Sequence, residues 1–344
     1  MPSSVFTRLH VAIVLCIAGL VATPILVVLG HILGTSSSTW QHLAQTVLPS
    51  YLMNSLGLMI GVGFSAAVLG TGTAWCISMC KFPGHKIFEW ALLLPLAMPA
   101  YVLAYTYTDF LDVAGPVQTF VRNRLGLEVQ QYWFPNIRSL GGAIAMLTLA
   151  LYPYIYMLAK VAFLEQAQNT LEASRVLGSR PWRSFTEIAL PLARPSIVAG
   201  LSLVLMETLS DFGTVQYFSV DTFTTGIYRT WAGMGDPVSA TQLSAVLLMG
   251  ILWLLLLEQW SRGKARYYQT GLRQTSSHCF VLKGWKALLV CGLCCLPLFL
   301  GFILPCGLLV FMAIAYFGQT FNLEFGEFAV HSFSLASISA IVTV

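Results

Sequence analysis

Charge is the first thing this chain lacks. Only 9% of its 344 residues are Asp, Glu, Lys or Arg, while 57% are hydrophobic, a balance that no water-soluble domain of this length tolerates on its surface. The composition excludes a soluble globular protein and predicts an all-α polytopic membrane protein. A second absence is the phosphate-binding loop Gly-x-x-x-x-Gly-Lys-Ser/Thr. The nearest pair, Gly263-Lys264, is followed by Ala265 and precedes no strand-to-helix turn, so this chain is not expected to hydrolyse ATP by itself. Histidines are few: His10, His31, His42, His85, His278 and His331 are scattered over both predicted faces. No Ser/His/Asp or paired-His constellation converges at one membrane depth, which argues against a membrane-embedded enzyme. None of the eight cysteines falls in a predicted outward loop, so no disulfide framework is expected. Cys291, Cys294 and Cys295 imitate a metal-binding spacing without a nearby His or acid. They read as small apolar packing, as do Cys76 and Cys80 one turn apart. No metal or cofactor is assigned. The net charge of +4 follows from membrane topology and gives no reason to expect nucleic acid as a partner.

What the chain has in abundance is long apolar runs. A helix needs about 20 apolar residues to cross the hydrocarbon core. Segments of that kind are predicted at Val11–Leu33, Asn54–Cys80, Ile87–Tyr107, Gly141–Phe163, Pro195–Phe218, Ser239–Leu257 and Ala287–Phe317, with an eighth starting near Ser332. The first apolar run is longer than the core of a signal peptide. Basic residues set the orientation, because they are retained on the cytoplasmic side. With the N-terminus inside, only Arg122, Arg124, Arg138 and Arg229 of the 18 Lys and Arg fall outside. The loop between the fourth and fifth predicted spans is therefore expected in the cytoplasm.

That loop has its own grammar. Asn169 and Glu172 form a capping-box pattern, Gly178 suits a left-handed helix stop, and Pro181 suits the first turn of a second helix. Two short helices joined at Gly178 are predicted. The residues Glu172-Ala173-Ser174, Gly178 and Ile188-Ala189-Leu190-Pro191 resemble the EAA loop of the permease subunits of binding-protein-dependent ATP-binding-cassette (ABC) importers, with Ser174 in place of the second alanine. The resemblance implies a type I importer permease fold in a bacterial inner membrane, multi-pass in contact with membrane lipid. It also implies two protein partners: an ATP-binding-cassette ATPase subunit on the inside and a periplasmic or extracytoplasmic substrate-binding protein outside. Glu172, Ala173, Ser174, Gly178, Ile188, Leu190 and Pro191 would then be the residues that couple to the ATPase.

Two further stretches, Leu94 to Tyr105 and Glu207 to Val215 continuing through Phe223 to Arg229, resemble the ferric-iron branch of these permeases. Thiamine, sulfate and polyamine permeases share parts of the pattern. Fe(III) is a hard cation that favours oxygen ligands, and Tyr101, Tyr105, Asp109 and Asp112 recur at helical spacing. Glu207 and Asp211, four residues apart in the predicted fifth span, are intramembrane acids of the kind that face a water-filled path or a partner helix. These six residues are the candidate translocation pathway. The competing reading makes the tyrosines an interfacial aromatic belt and the two span acids helix-joining groups. After Asp112, Val117, Phe120, Val121 and Leu125 form an apolar stripe broken by Arg122 and Arg124. Such a stripe can anchor at the interface or serve as a shelf for the binding protein.

The order of features restarts near the end of the chain: basic flank, long span with an internal proline (Pro24, Pro305), polar outward loop, new span. This predicts a complete six-span unit over 1–260, a cytoplasmic linker over 261–286 and the start of a second unit over 287–344, as if a two-unit permease were cut short at Val344. An ion-coupled secondary transporter would also have many spans, intramembrane acids and an internal repeat. It has no need of a Gly-hinged inner helix pair.

Overall fold

The computed structural model describes residues 3–30, 38–129, 131–166, 181–262, 280–320 and 323–343. In chain order the first helices are α1 (Ser3–Gly30), α2 (Ser38–Thr46), α3 (Leu48–Met79), α4 (His85–Ala91), α5 (Ala100–Leu111), α6 (Pro116–Leu125) and α7 (Leu140–Gln166). They are followed by α8 (Pro181–Ser184), α9 (Leu190–Ser210), α10 (Gly213–Tyr217), α11 (Phe223–Tyr228) and α12 (Pro237–Arg262). The last are α13 (Trp285–Leu298), α14 (Leu304–Ala315), α15 (Phe317–Thr320) and α16 (Leu323–Thr343). Two strands of two residues each, β1 (Cys80–Lys81) and β2 (Phe280–Val281), pair in parallel with Cys80 opposite Phe280. Among the described residues, seven helical segments are long and apolar enough to cross a membrane, or eight if one bent pair counts as a single span.

That bent pair corrects the predicted continuous span Ile87–Tyr107. The helical stretches His85–Ala97 and Ala100–Leu125 meet at 89°. Two prolines explain the break: Pro95 lies in a tight turn over Leu94–Ala97, and Met98, just before Pro99, is extended at φ −101° and ψ 109°. The proline ring disfavours helical backbone in the residue before it. The predicted fifth span, Pro195–Phe218, is also corrected. Its helix starts earlier and stops at Ser210, where Asp211 turns extended at ψ 128°. Asp211 therefore does not continue the helix that carries Glu207.

Prolines shape two further places without breaking the helix. A wide π-helical turn, Phe185–Ala189, precedes Pro191, and another, Phe299–Ile303, precedes Pro305. Proline lacks an amide hydrogen and crowds the carbonyl four residues back, which favours a widened turn there. Pro24, by contrast, lies inside an uninterrupted α1, so the likeness proposed between the first and seventh spans does not extend to their backbone.

The core is built around α7, with α3 and α9 packed against it. The helices approach closely at glycines. A Cβ added at Gly70 would lie 2.8 Å from the Tyr152 carbonyl, and one at Gly200 would lie 2.8 Å from Ile155 Cα. Small residues let helix backbones meet where apolar burial alone gives little preference for protein over lipid. Tyr152, Tyr156 and Phe163 of α7 are fully buried in this core.

Helix α13 docks on the same core. Tyr107 donates its hydroxyl to the Leu300 carbonyl at 2.6 Å, Gly301 faces Pro95 and the Leu149 carbonyl, and Cys294 is fully buried. The segment from Trp285 onward thus packs against the bundle formed by the earlier helices.

Candidate functional site

The bundle has two ends. One carries Lys81, Lys86 and Lys160 and receives the entry to α8; the other carries α6, α10 and α11. They are called here the basic end and the far end.

At the far end, α5 presents Tyr101, Tyr105 and Asp109 along one exposed face, as their spacing of four residues requires. Tyr101 and Tyr105 are 56% and 44% exposed. Helix α10 lies against them: Gly213 closely faces the Tyr101 Cβ, and the Tyr217 ring meets the Tyr105 ring edge-on at 6.1 Å. A side chain at position 213 would push the two elements apart, which is a physical reason for glycine there.

Asp211 holds this short helix in place. Its carboxylate accepts hydrogen bonds from the Thr214 and Val215 amides at 3.1 Å each and from the Thr214 hydroxyl at 3.0 Å. Its carbonyl accepts from the Thr224 hydroxyl at 2.7 Å. Glu207 is exposed at the end of α9. Sequence spacing placed Asp211 and Glu207 on one helix face; in the structure only Glu207 is helical, and Asp211 instead organises the turn that follows.

Asp112 parts from the tyrosine face as well. It ends α5 in an extended conformation at ψ 166°, accepts from the Val113 amide at 2.7 Å, and pairs with Arg138 at 3.4 Å. The Arg138 guanidinium also lies 5.5 Å from the centre of the Tyr217 ring, within range of a cation–π contact. Asp112, Arg138, Tyr217 and Tyr105 thus form a chain of contacts over three elements. Arg138 and Tyr217 were not among the residues expected at this site. Arg138 had served only as a topology marker, and nothing local in the sequence joins residues 105, 138 and 217.

Neighbouring segments fix the rest of the far end. Asp221 accepts from Arg229 at 2.8 Å, and its carbonyl accepts from the Asn54 side chain at 2.8 Å. Thr222 and Thr225 form a reciprocal cap at the start of α11. On α6, Arg122 donates to Tyr132 and Thr119, and Phe120 is 61% exposed with Arg124 stacked on it.

Of the coupling residues, Glu172, Ala173, Ser174 and Gly178 lie outside the described residues. The second predicted helix is described from Pro181 onward. Ile188 packs against the buried core, Leu190 is half-buried and Pro191 exposed. Phe185 completes a three-ring cluster with Trp75 and Phe163, its ring centre 4.8 and 6.4 Å from theirs, so the segment after Pro181 is seated in the bundle. Among the described residues, no three His, Cys, Asp or Glu side chains are grouped so that they could hold a metal ion.

Known proteins resemble this chain in sequence and in fold. The chain is 27% identical over 297 residues to the Fe(3+)-transport system permease protein FbpB 2 of Haemophilus influenzae, covering 85% of this chain and 54% of that protein. It therefore spans about half the length of that relative. It is also 27% identical over 223 residues to the molybdenum transport system permease protein ModB of Escherichia coli, covering 63% of this chain and 92% of ModB. Identity is again 27%, over 173 residues, to the E. coli sulfate transport system permease protein CysT, covering 50% and 59%. A solved bacterial ABC transporter involved in the import of the acidic polysaccharide alginate superposes with a TM-score of 0.60 at 18% identity, over 76% of this chain and 96% of the solved one. The fold is the type I importer permease fold. Residues 66–258, more than half of the chain and including the whole of α7 and α9, match the binding-protein-dependent transport system inner membrane components, and the chain belongs to that family.

Proposed function

We propose that this chain is the permease subunit of a binding-protein-dependent ABC importer, placed in a bacterial inner membrane with its basic end in the cytoplasm, and that it carries ferric iron. The observation that carries the subunit assignment is the family match over residues 66–258. The EAA-like residues Glu172 to Pro191 fall inside that match, and the later part of this segment is anchored on the core through Phe185 and Ile188. A separate ATPase subunit docks on that segment, and a substrate-binding protein delivers cargo at the far end. ATP-driven closure of the ATPase pair moves the segment around Gly178 and reorients the spans, the alternating-access form of a hinge or shear transition.

For the cargo, identity does not separate the relatives, since the iron, molybdenum and sulfate permeases are equally similar at 27%. The extent of the match favours iron: 85% of the chain aligns with the Fe(3+) permease against 63% and 50% for the others. The exposed Tyr101, Tyr105 and Asp109 face is rich in oxygen, which suits a hard cation. Glu207 and Asp211 complete the proposed path. A permease for an oxyanion is the second reading: the fuller coverage of ModB itself favours molybdate, and the equal identity to CysT keeps sulfate beside it.

Residues 1–260 would form one permease unit and 287–344 the start of a second, joined by 261–286. The test is purification from native membranes, followed by uptake of radiolabelled ferric iron, molybdate and sulfate by reconstituted complex. Co-isolation of an ATPase and iron-selective uptake are expected. A chain that purifies alone and moves substrate with an ion gradient would be a secondary transporter, and oxyanion uptake would replace iron as the cargo.

A further inference from the structure

At the basic end, α4 and Leu92, the residue that ends it, are bound to α7 by three contacts. Tyr156 donates its hydroxyl to the Glu89 carbonyl at 2.8 Å, and Tyr152 donates to the Leu92 carbonyl at 3.1 Å. The Lys160 ammonium lies 2.9 Å from the Glu89 carboxylate. It also sits 5.8 and 6.0 Å from the centres of the Trp90 and Tyr156 rings. Four ion pairs are formed among the described residues, and this is the most covered, with side chains 17% and 32% exposed; the other three are all at least 40% exposed.

Its place in the fold gives it a role. Lys160 is on the last turns of α7, about 9 Å of helix before Gln166, and α7 leads directly into the segment that holds Glu172 and Gly178. Glu89 is on α4, the arm of the bent pair at the basic end. The other arm, α5, turns away at 89° and carries Tyr101, Tyr105 and Asp109. A largely dehydrated ion pair is a poor stabiliser compared with apolar packing, because desolvation cancels much of the attraction. It is, however, a short-range directional tie that can break and re-form as two helices slide.

We infer that Lys160 is a positioning residue that transmits the ATPase-driven displacement of the α7 terminus through Glu89 to the bent pair, and so to the proposed pathway face on α5. This inference rests on the importer reading. It assigns Lys160 and Glu89 a part in coupling and none in contacting the cargo.

The test uses the whole complex, with its ATPase and binding protein, in proteoliposomes. The probe is whichever of ferric iron, molybdate or sulfate the wild type carries. Lys160→Met keeps the methylene packing on Trp90 and Tyr156 and removes the charge; Glu89→Gln removes the opposite charge with little change of shape. Each is expected to hydrolyse ATP within about twofold of wild type when stimulated by the binding protein, while cargo moved per ATP falls at least tenfold. The exchange Glu89→Lys with Lys160→Glu is expected to recover a substantial part of the coupling. Wild-type cargo per ATP in both single variants would overturn the inference and leave the importer reading standing. So would a parallel loss of ATPase and transport in both singles with no recovery in the exchange, since that marks a purely structural tie. If wild-type protein yields no binding-protein-stimulated ATPase, the importer reading itself fails and the inference falls with it.

Discussion

Helices α1 and α7 are both long, apolar and interrupted in sequence by one proline, Pro24 and Pro153, yet they occupy opposite extremes of the fold. The most apolar stretch of α7 is 61% buried inside the protein, while the corresponding stretch of α1 is not buried at all. The more hydrophobic of the two is the one left uncovered. In a bilayer the lipid tails are as apolar as leucine, so hydropathy selects what enters the membrane but not what packs against protein. Packing is decided by shape and by polar groups that need partners: the glycines of α3 and α9 that admit α7, and the tyrosine hydroxyls of α7 that cap the carbonyls of the neighbouring arm.

This contrast is sharpest at the glycines. Gly200→Leu should be the most damaging change, because even a Cβ at that position meets Ile155 backbone at 2.8 Å. Overpacking costs about 1–3 kcal/mol and occasionally more, and loss of the monodisperse peak after detergent extraction would report it. A variant as stable as wild type would show that the close approach of α7 and α9 is wrong. Removing the buried hydroxyl in Tyr152→Phe should cost about 1 kcal/mol, read as a lowered melting temperature with the fold retained. Asp211→Ala should also cost about 1 kcal/mol by releasing the first turn of α10, and Asp211→Asn should recover part of it. Thermal melts of the three proteins side by side would decide this, and equal melting temperatures would deny Asp211 its organising role. The smallest effect is expected on α1. Nothing lies within 4 Å of a Cβ at Gly19, so Gly19→Leu should change the melting temperature of this chain by an amount equivalent to less than about 0.5 kcal/mol.

The same distinction explains what could be read from the sequence. Apolar runs located every long helix, because the length needed to cross a bilayer is a property of each segment alone. The two backbone breaks were missed, although Pro95 and Pro99 signalled one of them; averaging hydropathy over a span conceals a change of direction inside it. At the far end, the Tyr101, Tyr105 and Asp109 face follows from helical spacing and is present in the structure. Tyr217 joins it across more than a hundred residues of chain and Arg138 across fewer than forty, and no local pattern announces such contacts. Lys160 was visible only as one more positive charge on the retained side, since its pairing with Glu89 requires knowing that α4 folds back along α7.

The short parallel pairing of Cys80–Lys81 with Phe280–Val281, extended by the bond from the Leu282 amide to the Lys81 carbonyl, brings together stretches two hundred residues apart. With Tyr107 and Cys294 it gives the later segment its own grip on the earlier bundle. Two separately synthesised polypeptides, 1–262 and 280–344, would on this basis recognise one another and reassociate without a covalent bridge, so that a nick between them would leave a nicked protein rather than two fragments.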